Sequence, residues 1–242
     1  MKNRLFSLIC LLVISMSLKA GDNVIIPIST DNISLIYKVG NNGRLYQSYL
    51  GQKLRFNSDI DQLPLGGEAY LTHGMEDYFE PAIRVLHNDG NPSLLLKYIS
   101  YETKQIQPDV TETIIKLKDD IYPVTVDLHF VSYAKENIIK SFTEISHQEK
   151  KPVTLYNYAS SLLHMNSEKY FLTEFAGDWA HEVNMTEQQL SFGKKVLDTK
   201  LGSRANMFNS PFFLLSLKEN ARENEGEVLF GTIGWTGNFR FT

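Results

Sequence analysis

Val124-Thr125-Val126-Asp127-Leu128-His129-Phe130 puts an apolar side chain at every second position and a polar one between. Successive side chains of an extended strand point to opposite faces, so this run reads as an antiparallel strand with one face on a core and the other toward solvent. A helix would need its apolar residues three and four apart. The fold class follows from how often the same two-residue period recurs on either side.

It recurs along most of the chain. Ile33, Leu35, Tyr37 and Val39 alternate with Ser34 and Lys38, and Gly40-Asn41-Asn42-Gly43 supplies a hairpin turn before a returning strand over residues 44–50. Further strands are predicted over 81–86, 94–101, 111–118, 138–145, 153–163, 170–175, 189–192, 212–217 and 228–235, with Asn88-Asp89-Gly90-Asn91 as another turn. No segment carries a sustained helical period, although 134–139 accommodates a turn. Short strands at regular spacing without helical crossovers predict an all-β chain, a large antiparallel two-sheet supersandwich, over residues 21–242. The closing Phe239-Arg240-Phe241-Thr242 stops in mid-pattern and predicts an unpaired apolar edge, as in a fold incomplete at its C-terminus.

One stretch breaks the pattern. Residues 53–70 hold Pro64, Gly66, Gly67, Asp59 and Asp61 with no period. An irregular segment of that length is either functional or covers a neighbouring surface.

The first twenty residues belong to export rather than to the fold. Lys2 and Arg4 precede an apolar run over 5–18, and Ala20-Gly21 offers a small-residue cleavage point, which together read as a secretory signal peptide. The expected location is the periplasm or the extracellular space. Cys10, the single cysteine, lies inside that segment, so the mature chain has no disulfide or thiol chemistry. Cleavage removes three cations and no acids, taking the formal charge from −4 to −7. An acidic chain without basic clusters is a poor partner for nucleic acid.

Candidate chemistry is sparse. His73, His87, His129, His147, His164 and His181 are scattered without helical ligand spacing, so they read as surface or hydrogen-bonded structural residues, with no metal and no cofactor expected. Glu76, Asp77 and Glu80 bracket Tyr78-Phe79 ahead of Pro81. Two carboxylates held about 5–9 Å apart act on glycosidic bonds, whereas a solvated acidic loop needs no such geometry. Trp179 and Glu182 could stack on and hydrogen-bond a sugar, but a large aromatic beside a glycine at a strand end more commonly plugs the space between sheets, and that is the first reading of Trp179.

The order of several elements resembles the N-terminal β-supersandwich domain of glycoside hydrolase family 36, the retaining α-galactosidases. The elements are Ile33-Ser34-Leu35-Ile36-Tyr37 with Gly43-Arg44-Leu45, then Asp77-Tyr78-Phe79-Glu80-Pro81-Ala82 leading to Asp89-Gly90, and Asn137-Ile138-Ile139-Lys140-Ser141. Gly177-Asp178-Trp179-Ala180-His181-Glu182, Asn209-Ser210-Pro211-Phe212, Gly226-Glu227-Val228 and Thr236-Gly237-Asn238-Phe239 complete the series. Ser203-Arg204-Ala205 after Gly202, Ser210 between Asn209 and Pro211, and Lys140 where arginine is frequent mark a divergent branch.

The resemblance implies a galactose-mutarotase-like sandwich followed by a catalytic barrel that carries both catalytic aspartates, so no catalytic residue is assigned in this chain. It further implies α-galactoside sugars as ligands, assembly as a homo-oligomer, tetrameric in some members, and a loop over 53–78 that reaches an active site. Asp59, Asp61 and Asp77 are then candidate sugar contacts, with Trp179 beside them. Two other readings stand next to this one: a free-standing carbohydrate-binding sandwich, and a mutarotase-like enzyme in which His129, His147 and His164 would face a carboxylate in one cleft.

Overall fold

The computed structural model describes residues 24–74 and 79–242. The expected signal segment and its cleavage point at Ala20 lie outside the described residues. Those described form two compact units, the first ending at Met165 and the second spanning Asn166–Thr242.

In the first unit, β1 (Ile25–Ser29), β2 (Ile33–Val39) and β3 (Leu45–Gln52) lead to a five-residue helix α1 (Asn57–Asp61) and the short strands β4 (Gly67–Glu68) and β5 (Ile83–Leu86). Four long strands follow, β6 (Leu96–Gln107), β7 (Val110–Asp119), β8 (Val124–Tyr133) and β9 (Ile138–His147), and then β10 (Thr154–Tyr158). One sheet runs β1-β2-β3-β4, a second runs β6-β7-β8-β9, and β5 pairs with β10. All of these ladders are antiparallel.

The alternation of β8 decides where the core lies. Val124, Val126, Leu128 and Phe130 are all buried, and with Ile115 and Leu117 of β7 they join Ile26, Ile28, Leu35, Tyr37 and Leu45 of the other sheet in one apolar cluster. The rings of Tyr37 and Phe130 meet 5.2 Å apart between the sheets. Pro27 occupies the edge strand β1, where a missing N–H costs no ladder bond. The Gly40–Gly43 turn forms as expected, with Gly43 at φ +79° and its N–H donating to the Gly40 carbonyl at 2.8 Å. Residues 134–137 form the expected turn, and Asn137 adopts φ +59° with its side-chain oxygen accepting from the Thr30 hydroxyl.

The second unit contains β11 (Tyr170–Asp178), β12 (His181–Gln189), β13 (Leu197–Thr199), β14 (Asn209–Arg222), β15 (Glu225–Thr232) and β16 (Phe239–Phe241), ordered β12-β11-β14-β15 with β13 paired to β16. Rings of Phe175 and Phe212 stand 4.7 Å apart, and Phe213 meets Phe241 edge to face at 5.1 Å.

The all-β, antiparallel class is borne out, and three details are corrected. Strand β12 replaces the strand expected over 189–192; its residues are exposed throughout, so no burial period announces it. The segment expected as a strand over 153–163 is extended and paired only in β10. Trp179 is no plug. It and Ala180 form the two-residue turn between β11 and β12, Ala180 at φ +61°, and the indole projects outward with 84% of its surface exposed. The closing strand β16 pairs on one side only among the described residues, Phe239 opposite Thr199 and Phe241 opposite Leu197 of β13, so its other edge is unpaired as expected.

Ile115 has no exposed surface, whereas Ile121 is 80% exposed. Ile115→Ala is expected to lower stability by about 3 kcal/mol and Ile121→Ala by no more than about 0.5 kcal/mol. Urea unfolding reads both, and equal losses would contradict this core.

Candidate functional site

The irregular stretch after β3 lies against the outer face of the first sheet and is held there by strand side chains. Along β2, Leu35 and Tyr37 point into the core, which leaves Ser34, Ile36 and Lys38 on the opposite face; all five are buried. Ser34 Oγ accepts the Leu54 N–H at 3.1 Å. Lys38 Nζ donates to the carbonyls of Asp61 at 3.1 Å and Leu63 at 2.8 Å. From β3, the Ser48 hydroxyl donates to the Leu65 carbonyl at 3.1 Å. Ile36 sits between Ser34 and Lys38 and is fully buried, so the segment these two hold roofs it. This is how β2 comes to be covered on both faces.

Gly66 closes the segment at φ +77°, where a Cβ would stand 2.0 Å from the Gln47 carbonyl. Only glycine fits that approach. Just beyond it, the side chain of Gln47 pairs with the backbone of a distant loop residue: its amide donates to the His164 carbonyl at 2.6 Å and its carbonyl accepts the His164 N–H at 3.0 Å. His164 Nε2 then meets the Glu68 carbonyl at 2.7 Å. Arg44 grips the Glu68 carboxylate with two guanidinium nitrogens in a largely buried pair.

Asp59 and Asp61 both lie on α1 and are exposed. Two positions apart on a helix, they point to different sides rather than converging as a pair. Asp77, with Glu76, lies outside the described residues, and Glu80 is exposed. Trp179 belongs to the second unit, at the β11–β12 turn, where its backbone N–H donates to Asp178 Oδ1 at 2.7 Å. Glu182 follows on the exposed strand β12.

The histidines do not converge. His129 Nδ1 lies 3.0 Å from Glu112 Oε1 and its ring stacks on Phe142 at 4.4 Å, which buries it on a face the sequence marks as polar. His147 lines a shallow cavity of about 220 Å³ with Lys118, Thr125 and Ser146, and His164 is committed to Gln47 and Glu68. Among the described residues no group of three His, Cys, Asp or Glu side chains is arranged to hold a metal. A second cavity, of about 10 Å³, is lined by Tyr37, Tyr70 and Ser141 among others. Burial pushes the Tyr70 hydroxyl up to about 12 and the Tyr37 hydroxyl higher still.

Sequence reasoning missed a buried pair. His87 Nδ1 meets Glu149 Oε1 at 2.7 Å, its Nε2 meets the Ser93 carbonyl at 3.0 Å, and its ring stacks on Tyr122 at 3.5 Å. Sixty-two residues separate His87 from Glu149, so no local pattern reveals the contact. Desolvation works to raise the Glu149 carboxyl, but donors from the Asn88 backbone, His87 and the Asn88 side chain prevail and hold it below the ordinary range.

Comparison with known proteins adds a family. Residues 43–242 match the profile of the Glycosyl hydrolase family 36 N-terminal domain. "Alpha-galactosidase 2" of Pediococcus pentosaceus is 26% identical over 203 residues, covering 78% of this chain and 27% of that protein. "Probable alpha-galactosidase G" of Aspergillus terreus is 25% identical over 179 residues, covering 69% of this chain and 24% of that one. The chain thus spans about a quarter of the length of these curated relatives. Among solved structures, a variant of the α-galactosidase AgaA from Geobacillus stearothermophilus in complex with raffinose shares the fold at a TM-score of 0.79 and 20% identity, covering 90% of this chain and 35% of that one.

Glu149, with its lowered carboxyl, contributes stability that is fully present above the unfolded value of about 4.3 and is lost as pH falls through the lower folded value. The melting temperature is therefore expected to fall between pH 5 and pH 3, and Glu149→Gln is expected to be less stable at neutral pH but to show a shallower acid limb. Parallel acid limbs in the two proteins would remove Glu149 from this role.

Proposed function

This chain belongs to the glycosyl hydrolase family 36 N-terminal domain family, and from that membership we propose that it is the non-catalytic leading domain of an exported α-galactosidase-like glycoside hydrolase acting on α-galactosides. The observation that carries the reading is the family match over residues 43–242 combined with coverage of only about a quarter of the full-length relatives. Neither described cavity is lined by a carboxylate, and Asp59 and Asp61 diverge on α1, which supports a supporting rather than a bond-breaking role. Chemistry falls to a catalytic barrel in the same polypeptide, and raffinose-type oligosaccharides are the substrate class, in keeping with the raffinose bound by the AgaA variant. The loop over 53–78 lends Asp59, Asp61 and Asp77 to sugar binding, and the domain assists homo-oligomer assembly. Export rests on the Lys2/Arg4, apolar run and Ala20-Gly21 pattern, with a mature N-terminus at Gly21.

The alternative is a carbohydrate-binding sandwich that works by itself. The outward-facing indoles of Trp179 and Trp235 favour it, since an exposed aromatic face suits the apolar surface of a sugar ring. The two readings separate by experiment. Under the leading one, the purified 242-residue chain releases no nitrophenol from a nitrophenyl α-galactoside and gives no calorimetric heat with galactose, melibiose or raffinose. Hydrolysis by this chain would refute the non-catalytic role, and saturable binding without hydrolysis would establish the alternative.

A further inference from the structure

Helix α1 has few reasons to exist. A five-residue helix barely exceeds its own nucleus, and isolated helices of this length do not persist in water. Its N-cap residue is Phe56, which offers no side-chain oxygen to the first N–H groups, and none of its residues is buried. Neither a side-chain cap nor a fully buried side chain of its own holds this turn.

Support comes from the strap-facing side of the strand beneath it. The last carbonyls of a helix lack intrahelical donors and carry its partial negative charge. Lys38 delivers an ammonium to that end, bonding the carbonyl of Asp61, the last residue of α1, and that of Leu63 just past it. Lys38 sits mid-sheet on β2, between Ile25 of β1 and Tyr46 of β3, and only 9% of it is exposed. A cation so withdrawn from water is costly unless it is met by good acceptors, and here the acceptors are main-chain carbonyls of the strap. The flanking bonds of Ser34 and Ser48 fix the two ends of the segment, at Leu54 and Leu65, but not the turn between them.

We propose that Lys38 is the positioning residue of the acidic turn: its buried ammonium caps α1 from beneath and holds Asp59 and Asp61 in place before any ligand arrives. Its consequence for sugar affinity rests on the function proposed above; the positioning itself does not. Asp59 and Asp61 present their carboxylates from a turn already ordered, so binding incurs no ordering entropy there.

Hydrogen exchange on the protein carrying Lys38→Met tests this, because methionine keeps an apolar stem and removes the charge. Amides over 57–65 are expected to exchange at least about tenfold faster, while those of β7 and β8 stay as in the unaltered protein. Lys53→Met is the control: Lys53 donates to the Thr30 carbonyl, away from α1, and its loss is expected to leave 57–65 unchanged. Unaltered exchange over 57–65 in Lys38→Met would overturn the proposal, as would an equal effect from Lys53→Met. Should Lys38→Met fail to fold, acetylation of the unaltered protein decides: Lys38 is expected to react at least about tenfold more slowly than exposed Lys151, and equal rates would overturn the proposal. In the longer polypeptide, Lys38→Met is expected to raise KM for raffinose several-fold with kcat retained, and Lys38→Arg to restore part of the difference. A loosened turn with unchanged KM would leave the positioning role standing and overturn the loop's part in sugar binding.

Discussion

A strand covered on both faces must satisfy two surroundings at once, and β2 is that strand in the first unit. Leu35 and Tyr37 fill the space between the sheets, while Ser34, Ile36 and Lys38 lie under the strap over 53–66. The two-residue period assigns each side chain to one of these surroundings, so a slip of one residue would send Lys38 into the apolar cluster and Leu35 under a segment that needs donors. The register of the first sheet, the path of the irregular segment and the placement of α1 depend on that single alternation.

Polar atoms in this unit are matched over long sequence distances. Gln47 reads the backbone of His164, His87 bonds Glu149, and Arg44 holds Glu68. The Gln47 contact brings together segments that the strand ladders leave apart, and each of the three would be costly to break singly, since a buried donor or charge would be left without its partner. The binding surface proposed for the strap is therefore built on a rigid base, although the acids themselves stand in solvent.

Much of the fold was legible because its signals are local. The alternation over 124–130, the Gly40–Gly43 turn and the returning strand β3 follow from side-chain direction and backbone freedom within a few residues. Strand β12 was not legible: Val183 and Met185 are its only apolar residues and both are exposed, and the strand exists because β11 offers it a ladder. Helix α1 was hidden for a related reason, since its support comes from Lys38, some twenty residues earlier. Trp179 misled because composition favours an indole in a core, whereas the turn geometry beside Ala180 turns it outward. Of the candidate site residues, Asp59 and Asp61 were found in a segment marked by its lack of period, but their divergent directions depend on a helix that the sequence did not announce.

The strap is gripped through its main chain. Lys38 and Ser48 bond carbonyl oxygens at positions 61, 63 and 65, and a carbonyl is present whatever side chain the residue bears. The anchoring is thus indifferent to the identities of Asp59 and Asp61, and these outward positions can be rewritten without loosening their mount. The first unit doubles as a display platform on which natural drift, or a designer's library, can exchange one recognition chemistry for another while the supporting framework stays constant.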